Sequence, residues 1–430
     1  MLERLFSLKA RGTTVGTEVL AGVTTFLTMA YIIFVNPAIL ADAGMDRGAV
    51  FVATCLVSAL ACLIMGLWAN YPIALAPGMG LNAYFAYSVV LGMGQTWQVA
   101  LGAVFLSGCL FVALSLSPIR NAIVDAIPHS MKLAISAGIG LFLAIIALKN
   151  AGLIVHHPAT LLTAGDVTQP QALLALAGFF VMVALDARKV PGAIMLAMLG
   201  TAAAGMALGL TPFAGVVAAP PSLLPTLGQL DVGGALGLGL ATIVFAFLFV
   251  DLFDNTGTLI GLAHRGGLLD ANERLPRLRP AMVANGLANL TSGLLGTSPV
   301  TSYIESAAGI KAGGRTGLTA VVVAALFLLA LAFSPLAASI PAYATAPALL
   351  FVACLLARGL TEIAWDDLTE AVPAVMTAVT MPLTFSIAHG MSFGFVSYVC
   401  IKLLAGRIRD VTPTAAILAA AFAAKYWWLG

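Results

Sequence analysis

The sequence predicts an all-α polytopic membrane protein with fourteen transmembrane segments in a 7+7 inverted repeat, and three observations carry that reading: composition, recurring apolar runs, and the side on which the basic residues fall. Of 430 residues, 61% are hydrophobic and 9% charged, against about 25% charged in a water-soluble chain. So few ionic side chains cannot cover even one globule facing water. Many apolar runs are long enough, at about 20 residues, to cross ~30 Å of hydrocarbon as helices. The lipid bilayer is therefore the solvent.

Other classes fall on the same numbers. With 20 basic and 18 acidic residues, a net charge of +2 and no long basic run, the chain has no electrostatic footprint for nucleic acid. Cys55, Cys62, Cys109, Cys354 and Cys400 all lie in apolar stretches, without metal-ligand spacing, and read as small packing residues. His129, His156, His157, His264 and His389 are scattered in loops or at span ends. Neither a nucleophile–base pair nor a ligand cluster results, so no enzyme, metal or cofactor is expected. The first residues, 1–16, carry Arg4, Lys9 and Arg11 and run into a span containing Asn36-Pro37. No small-residue cleavage site follows, so no signal peptide is expected.

Taken in order, spans are expected near 18–40, 49–68, 72–90, 98–117, 131–149, 171–186, 190–210, 235–262, 280–296, 298–310, 316–334, 342–357, 371–388 and 391–406. The third and tenth are short and interrupted, by Pro72 and Pro77-Gly78-Met79-Gly80 in one and by Gly296-Thr297-Ser298-Pro299 in the other. Charge decides that they cross. From a cytoplasmic N-terminus, 18 of the 20 Lys and Arg fall on the cytoplasmic side, including Arg120, Lys132, Arg188, Lys189, Arg274 and Lys402, and only Arg47 and Lys149 fall outside. Deleting the third span alone would move 15 of those 18 to the wrong side, against the positive-inside bias. The end of the chain, 413–430, reads as a surface helix with Tyr426, Trp427 and Trp428 at the headgroups.

Breaks in the third and tenth of fourteen spans divide the chain into two halves of seven. An odd number per half turns the second copy upside down, and matched Gly/Pro-interrupted segments point to a transporter's binding site. Three acids lie in the apolar interior without Lys or Arg in their runs: Asp251 and Asp254 in the eighth span and Glu305 in the tenth. Intramembrane acids are expensive and mark function by default. Asp251 and Asp254 share a helix face, where two like charges cannot both ionise cheaply, which suits proton carriage, although Asp251 also reads as a tether for a neighbour. Glu305 follows a break, at the start of a half-helix, where a carboxylate can accept from a ligand donor while free backbone N–H groups meet ligand acceptors. Asn36 and Asn82 offer amides either to a ligand or to broken backbone. Tyr84, Phe85 and Tyr303 either stack on a flat ligand or pack. The loop acids Asp270 and Glu273 with Arg274, Arg277 and Arg279, and the group Glu362, Asp366, Asp367 and Glu370, read as solvated faces. Small-residue runs such as Gly233, Gly234, Gly237 and Gly239 allow close helix contact within one subunit or between two, so a homodimer stays open.

Several of these segments resemble a known family. The run from Thr17 and Glu18 through Ala30-Tyr31 to Asn36-Pro37, the run Ala76-Pro77-Gly78-Met79-Gly80-Leu81-Asn82-Ala83-Tyr84-Phe85, the Asp251 and Glu305 segments, and Met381-Pro382 through His389-Gly390 are similar to the azaguanine-type purine permeases of the nucleobase–cation symporter-2 family. The resemblance covers nearly the whole chain. It implies the uracil-permease fold, with a core of 17–117 (spans 1–4) and 235–334 (spans 8–11), a gate of 118–210 (spans 5–7) and 342–406 (spans 12–14), a cytoplasmic N-terminus 1–16 and a cytoplasmic or interfacial tail 407–430. It also implies proton-coupled import of adenine, guanine or hypoxanthine across the cytoplasmic (inner) membrane, with sodium the less expected ion. By the same resemblance Asp254, followed by Gly257, contacts the base; so does Glu305, two after Tyr303 and near Thr301, with Asn82 and Ala83 as the third-span contribution. Asp254, with Asp251, is the expected proton-coupling group. Many wider-family members carry Glu where this chain has Asp254, one methylene shorter. A rival on the same fold is an anion transporter of the sulfate or dicarboxylate kind, which would want basic residues near the site and would avoid carboxylates there.

Overall fold

The computed structural model describes residues 2–117, 128–237, 241–270 and 275–429, so Arg120, Glu273, Arg274 and Gly239 lie outside the described residues, as do the side chains of Tyr426 and Trp428. Among the described residues nine helices are long and apolar enough to cross a membrane: Val15–Asp42, Arg47–Ala69, Trp97–Leu116, His129–Asn150, Pro170–Ala187, Ile243–Gly266, Gly317–Ala338, Ala342–Glu362 and Ile387–Leu404. The shorter apolar helices Ala193–Ala207 and Leu368–Leu383 occupy the seventh and thirteenth expected positions, and the more polar helix Leu278–Leu295 the ninth. This is a multi-pass, all-α membrane protein.

Side-chain caps fix where several of these helices begin. Thr14 accepts from the Thr17 N–H, Asp46 from Ala49, Thr96 from Val99 and Ser386 from His389, each satisfying a first-turn donor that lipid could not. A longer-range cap comes from Glu18, fully buried, whose carboxylate accepts from the N–H groups of Arg315, Thr316 and Thr319 and from the Thr319 hydroxyl at the start of helix Gly317–Ala330. Asn70, in the left-handed region at φ 54°, accepts from the Gly317 N–H at 2.7 Å. There the helices meet through glycines: a Cβ on Gly66 would lie 2.5 Å from the Gly317 carbonyl oxygen.

The helices sort into two packed groups. Those of 15–116 and 241–338 pack mainly on one another, as do those of 129–207 and 342–404. The tail helix Pro413–Leu429 lies against Ile387–Leu404, with Phe422 stacked on Phe395 at 6.2 Å.

Several boundaries differ from expectation. The first span is interrupted at Ala30-Tyr31, between helices Val15–Met29 and Ile32–Asp42, with both residues still in the right-handed helical region, while Pro37 sits inside the second helix. Threonine hydroxyls bond back just before it: Thr24 to the Leu20 carbonyl, and Thr28 to those of Thr24 and Thr25. The eighth helix is described over Ala241–Gly266, and its expected start at 235 falls instead at the end of a separate short helix, Val232–Ala235, capped by Asp231. A hairpin of Ile154–His157 and Leu161–Ala164, not foreseen, joins the fifth and sixth segments.

One expectation is corrected. The acids Asp367 and Glu370 are not merely a solvated face: Arg407 lies 2.6 Å from Asp367, and Lys402, 2% exposed, lies 2.6 Å from Glu370 and 3.5 Å from Asp410. Ser130 also donates to Glu370, tying the fifth, thirteenth and last segments together. A buried ammonium needs such partners, and the sequence placed them 32 and 8 residues away from Lys402, out of view of a local reading.

Candidate functional site

The two interrupted segments meet. After the second helix the chain turns at Asn70 and enters a short strand, Leu75–Pro77, which pairs antiparallel with Val300–Ser302 in the register Leu75 to Ser302, Ala76 to Thr301 and Pro77 to Val300. Antiparallel pairing requires the two broken segments to run in opposite directions, as an upside-down second copy demands. The ladder is extended at both ends, by Gly78 N–H to Pro299 O at 2.9 Å and by Tyr303 N–H to Ala74 O at 3.0 Å. Backbone that leaves the helix at membrane depth thus finds partners in the other broken segment. From opposite ends of the ladder leave two short helices: Met79–Ala83, continued by wide π turns Tyr84–Gly92, and Ser306–Lys311. Cys62 also holds the first strand, bonding to both the N–H and the carbonyl of Leu75, a more specific task than the packing expected of it.

Against this ladder stand the acids. Asp254 is exposed within a helix whose neighbouring Asp251, Leu252, Asn255 and Thr256 are buried, and its Oδ2 accepts from the Thr301 hydroxyl at 3.1 Å. It therefore faces a cleft beside the strands. Asn255, the next residue, accepts from the N–H and hydroxyl of Ser302 at 3.3 and 2.6 Å, pinning the strand to the eighth helix. Glu305 is partly exposed, just before helix Ser306–Lys311, and its Oε1 accepts from the Tyr31 hydroxyl at 2.6 Å. Among the described residues, Oδ1 of Asp254 and Oε2 of Glu305 have no side-chain partner and no Lys or Arg forms an ion pair with either acid. The helix carrying Glu305 is held close to the first span at Gly309, where a Cβ would meet the Thr25 hydroxyl and the Ala21 carbonyl.

The remaining expected residues sit behind this surface. Asp251 is 2% exposed and accepts from Asn285 at 3.0 and 2.8 Å and from Asn289 at 2.6 Å. Asn289 in turn accepts from the Val300 N–H at 2.6 Å. The geometry gives Asp251 the tether role, not a cleft-facing one. Asn82 is fully buried; its oxygen accepts from Ser298, which also bonds Asn36, and Asn36 reaches Thr54 and Thr297. The Asn82 amide nitrogen has no partner among the described residues. Tyr303 is 4% exposed with its hydroxyl on the Pro77 carbonyl, and Ala83 is fully buried. Tyr84 and Phe85, also fully buried, pack on Phe247 with ring centroids 4.9 and 6.5 Å away, which settles both as packing aromatics.

Sequence reasoning missed Tyr31, Asn255, Asn285, Asn289 and Ser298. A signal existed for two of them: Asn285 and Asn289 are four apart on one face of an otherwise apolar helix. Substituting Asn289 by alanine is expected to leave the buried Val300 N–H unpaired, at about 1–3 kcal/mol. The melting temperature in detergent should drop by several degrees, and an unchanged value would remove the tether from the argument.

Comparisons with known proteins agree with this architecture. The model described as "Permease family" matches residues 16–420. The chain is 53% identical to the putative permease MJ0326 of Methanocaldococcus jannaschii (100% of this chain, 98% of that protein) and 48% identical to the adenine permease AdeP of Escherichia coli (99% and 96%). It is 44% identical to the guanine/hypoxanthine permease PbuG of Bacillus subtilis, over 96% of each. Among solved structures, the transmembrane domain of the cyanobacterial bicarbonate transporter BicA superposes with a TM-score of 0.66 at 17% identity, over 89% of this chain and 97% of that one. At that identity the likeness speaks for the fold alone. A match along nearly the full length, around paired broken segments and lipid-depth acids, establishes that this chain belongs to the permease family and is a membrane transporter rather than an enzyme.

Proposed function

We propose that the protein imports purine nucleobases by proton symport, binding the base between Asp254, Glu305 and the crossed strands. The observation that carries this reading is the pair of acids, each with one oxygen held by a hydroxyl of the protein and, among the described residues, one oxygen without a side-chain partner and no ion pair. Such acceptors suit the ring N–H donors of a neutral planar base. An anion would meet carboxylate where it needs positive charge. The adenine and guanine/hypoxanthine permeases among the relatives support the same substrate class.

Alternating access follows from the two packed groups of helices. In this reading 17–117 and 235–334 form the core that holds the site, and 118–210 and 342–406 the gate. Lys132 of the second group lies with its ammonium 5.7 Å from the ring centre of Phe253, beside Asp254, so the groups touch next to the acid. In the same reading the membrane is the cytoplasmic (inner) one and the N-terminus and tail lie on its cytoplasmic side, an orientation that the distribution of basic residues supports. Uptake of radiolabelled adenine, guanine, hypoxanthine, uracil and sulfate into proteoliposomes, with an inward proton gradient and without sodium, tests the whole reading. Purine accumulation is expected; accumulation of sulfate alone, or a strict need for sodium, would overturn it.

A further inference from the structure

Tyr31 was not among the residues expected at the site, yet among the described residues it is the one side chain that bonds the Glu305 carboxylate, and it stands where the first span is interrupted. It is 1% exposed, and its hydroxyl proton is directed to Oε1 at 2.6 Å. The Thr28 hydroxyl, whose proton goes to the Thr25 carbonyl at 2.8 Å, only comes within 3.4 Å of the Glu305 backbone carbonyl. Tyr31 therefore holds Glu305 by its carboxylate. Thr301 treats Asp254 in the same way, engaging Oδ2 and leaving Oδ1 without a side-chain partner. Each acid thus has one oxygen wholly unengaged and one that a ligand would share with a hydroxyl of the protein.

We propose that Tyr31 is a specificity-determining positioning residue: by engaging Oε1 it leaves Oε2 as the one wholly open acceptor of Glu305, so the permease rewards a base N–H there more than an adjacent exocyclic amine, which would have to share Oε1 with the tyrosine hydroxyl. This rests on the nucleobase reading of the site. A carboxylate with both oxygens available pairs two neighbouring donors side by side, as it does with a guanidinium. Guanine carries such a pair, a ring N–H next to an amine, where hypoxanthine has the ring N–H alone. Adenine in its N7–H form relates to unsubstituted purine in the same manner. With one lone pair of Oε1 taken by Tyr31, the second donor of each pair must share that oxygen with the tyrosine hydroxyl, and its bond is weaker for it.

The test is competition binding of guanine, hypoxanthine, adenine and purine to purified protein, wild type and Tyr31→Phe. Phenylalanine keeps the ring that packs at the interruption and removes only the donor. In Tyr31→Phe the preference for the aminated base over its amine-free counterpart should rise about tenfold in at least one pair, the scale of one hydrogen bond to a charged group. In a Glu305→Ala background, which leaves Tyr31 no side chain to act through, the same substitution should leave the preference unchanged. A uniform fall across all four bases, or no change in either pair, would assign Tyr31 a structural role and overturn the proposal. Wild-type protein that binds none of the four would instead overturn the nucleobase reading itself.

Discussion

Replacing Asp254 by asparagine is expected to abolish uphill purine accumulation driven by an imposed pH gradient. Coupling requires a group that takes a proton from one side and loses it to the other, and an amide cannot titrate. Asp254 has the location for this: exposed in the cleft, one oxygen on Thr301, the other without a side-chain partner, beside the Lys132–Phe253 contact between the two helix groups. Downhill exchange should survive in part, since asparagine retains an oxygen that can accept from Thr301 and the base. Asp251→Asn is the instructive contrast. Its carboxylate receives three hydrogen bonds from Asn285 and Asn289 and is buried, so its substitution should act on stability more than on coupling. Accumulation ratio against imposed ΔpH in proteoliposomes separates the two, and an Asp254→Asn protein as steep as wild type would refute the coupling role.

Glu305→Gln is expected to lower purine affinity by one to two decades. Glutamine keeps the shape but turns an acceptor-only group into a mixed donor and acceptor, so a base N–H at Oε2 is either lost or faced with another N–H. A hydrogen bond to a charged group is worth about 1.5–3 kcal/mol, which sets the size of the effect. The Tyr31 hydroxyl biases the outcome, because it retains its bond only if the amide oxygen takes the Oε1 position. That orientation puts the amide nitrogen toward the ligand, the unfavourable arrangement. Binding measured by competition on correctly inserted protein is the readout, and unchanged affinity would remove Glu305 from the site.

The sequence by itself determined what depends on composition and on neighbours along the chain. Membrane residence followed from the scarcity of charge. Oppositely directed halves followed from matched interruptions, and the importance of Asp254 and Glu305 from the expense of an acid in lipid. Those are single-residue costs, visible without knowing what touches what. Only the tertiary structure decided which acid faces the cleft. Asp251 and Asp254 look alike in sequence, and their roles separate because Asn285 and Asn289, more than 30 residues on, surround one and not the other. The same holds for Tyr31, which reaches Glu305 across 274 residues, and for Cys62, bound to the strand at Leu75. A side chain's hydrogen-bond partner is fixed by how helices pack, and a buried polar group left without one is costly. The sequence therefore marks where polar groups are expensive, while the packed structure determines which of them are satisfied and which remain open to a ligand.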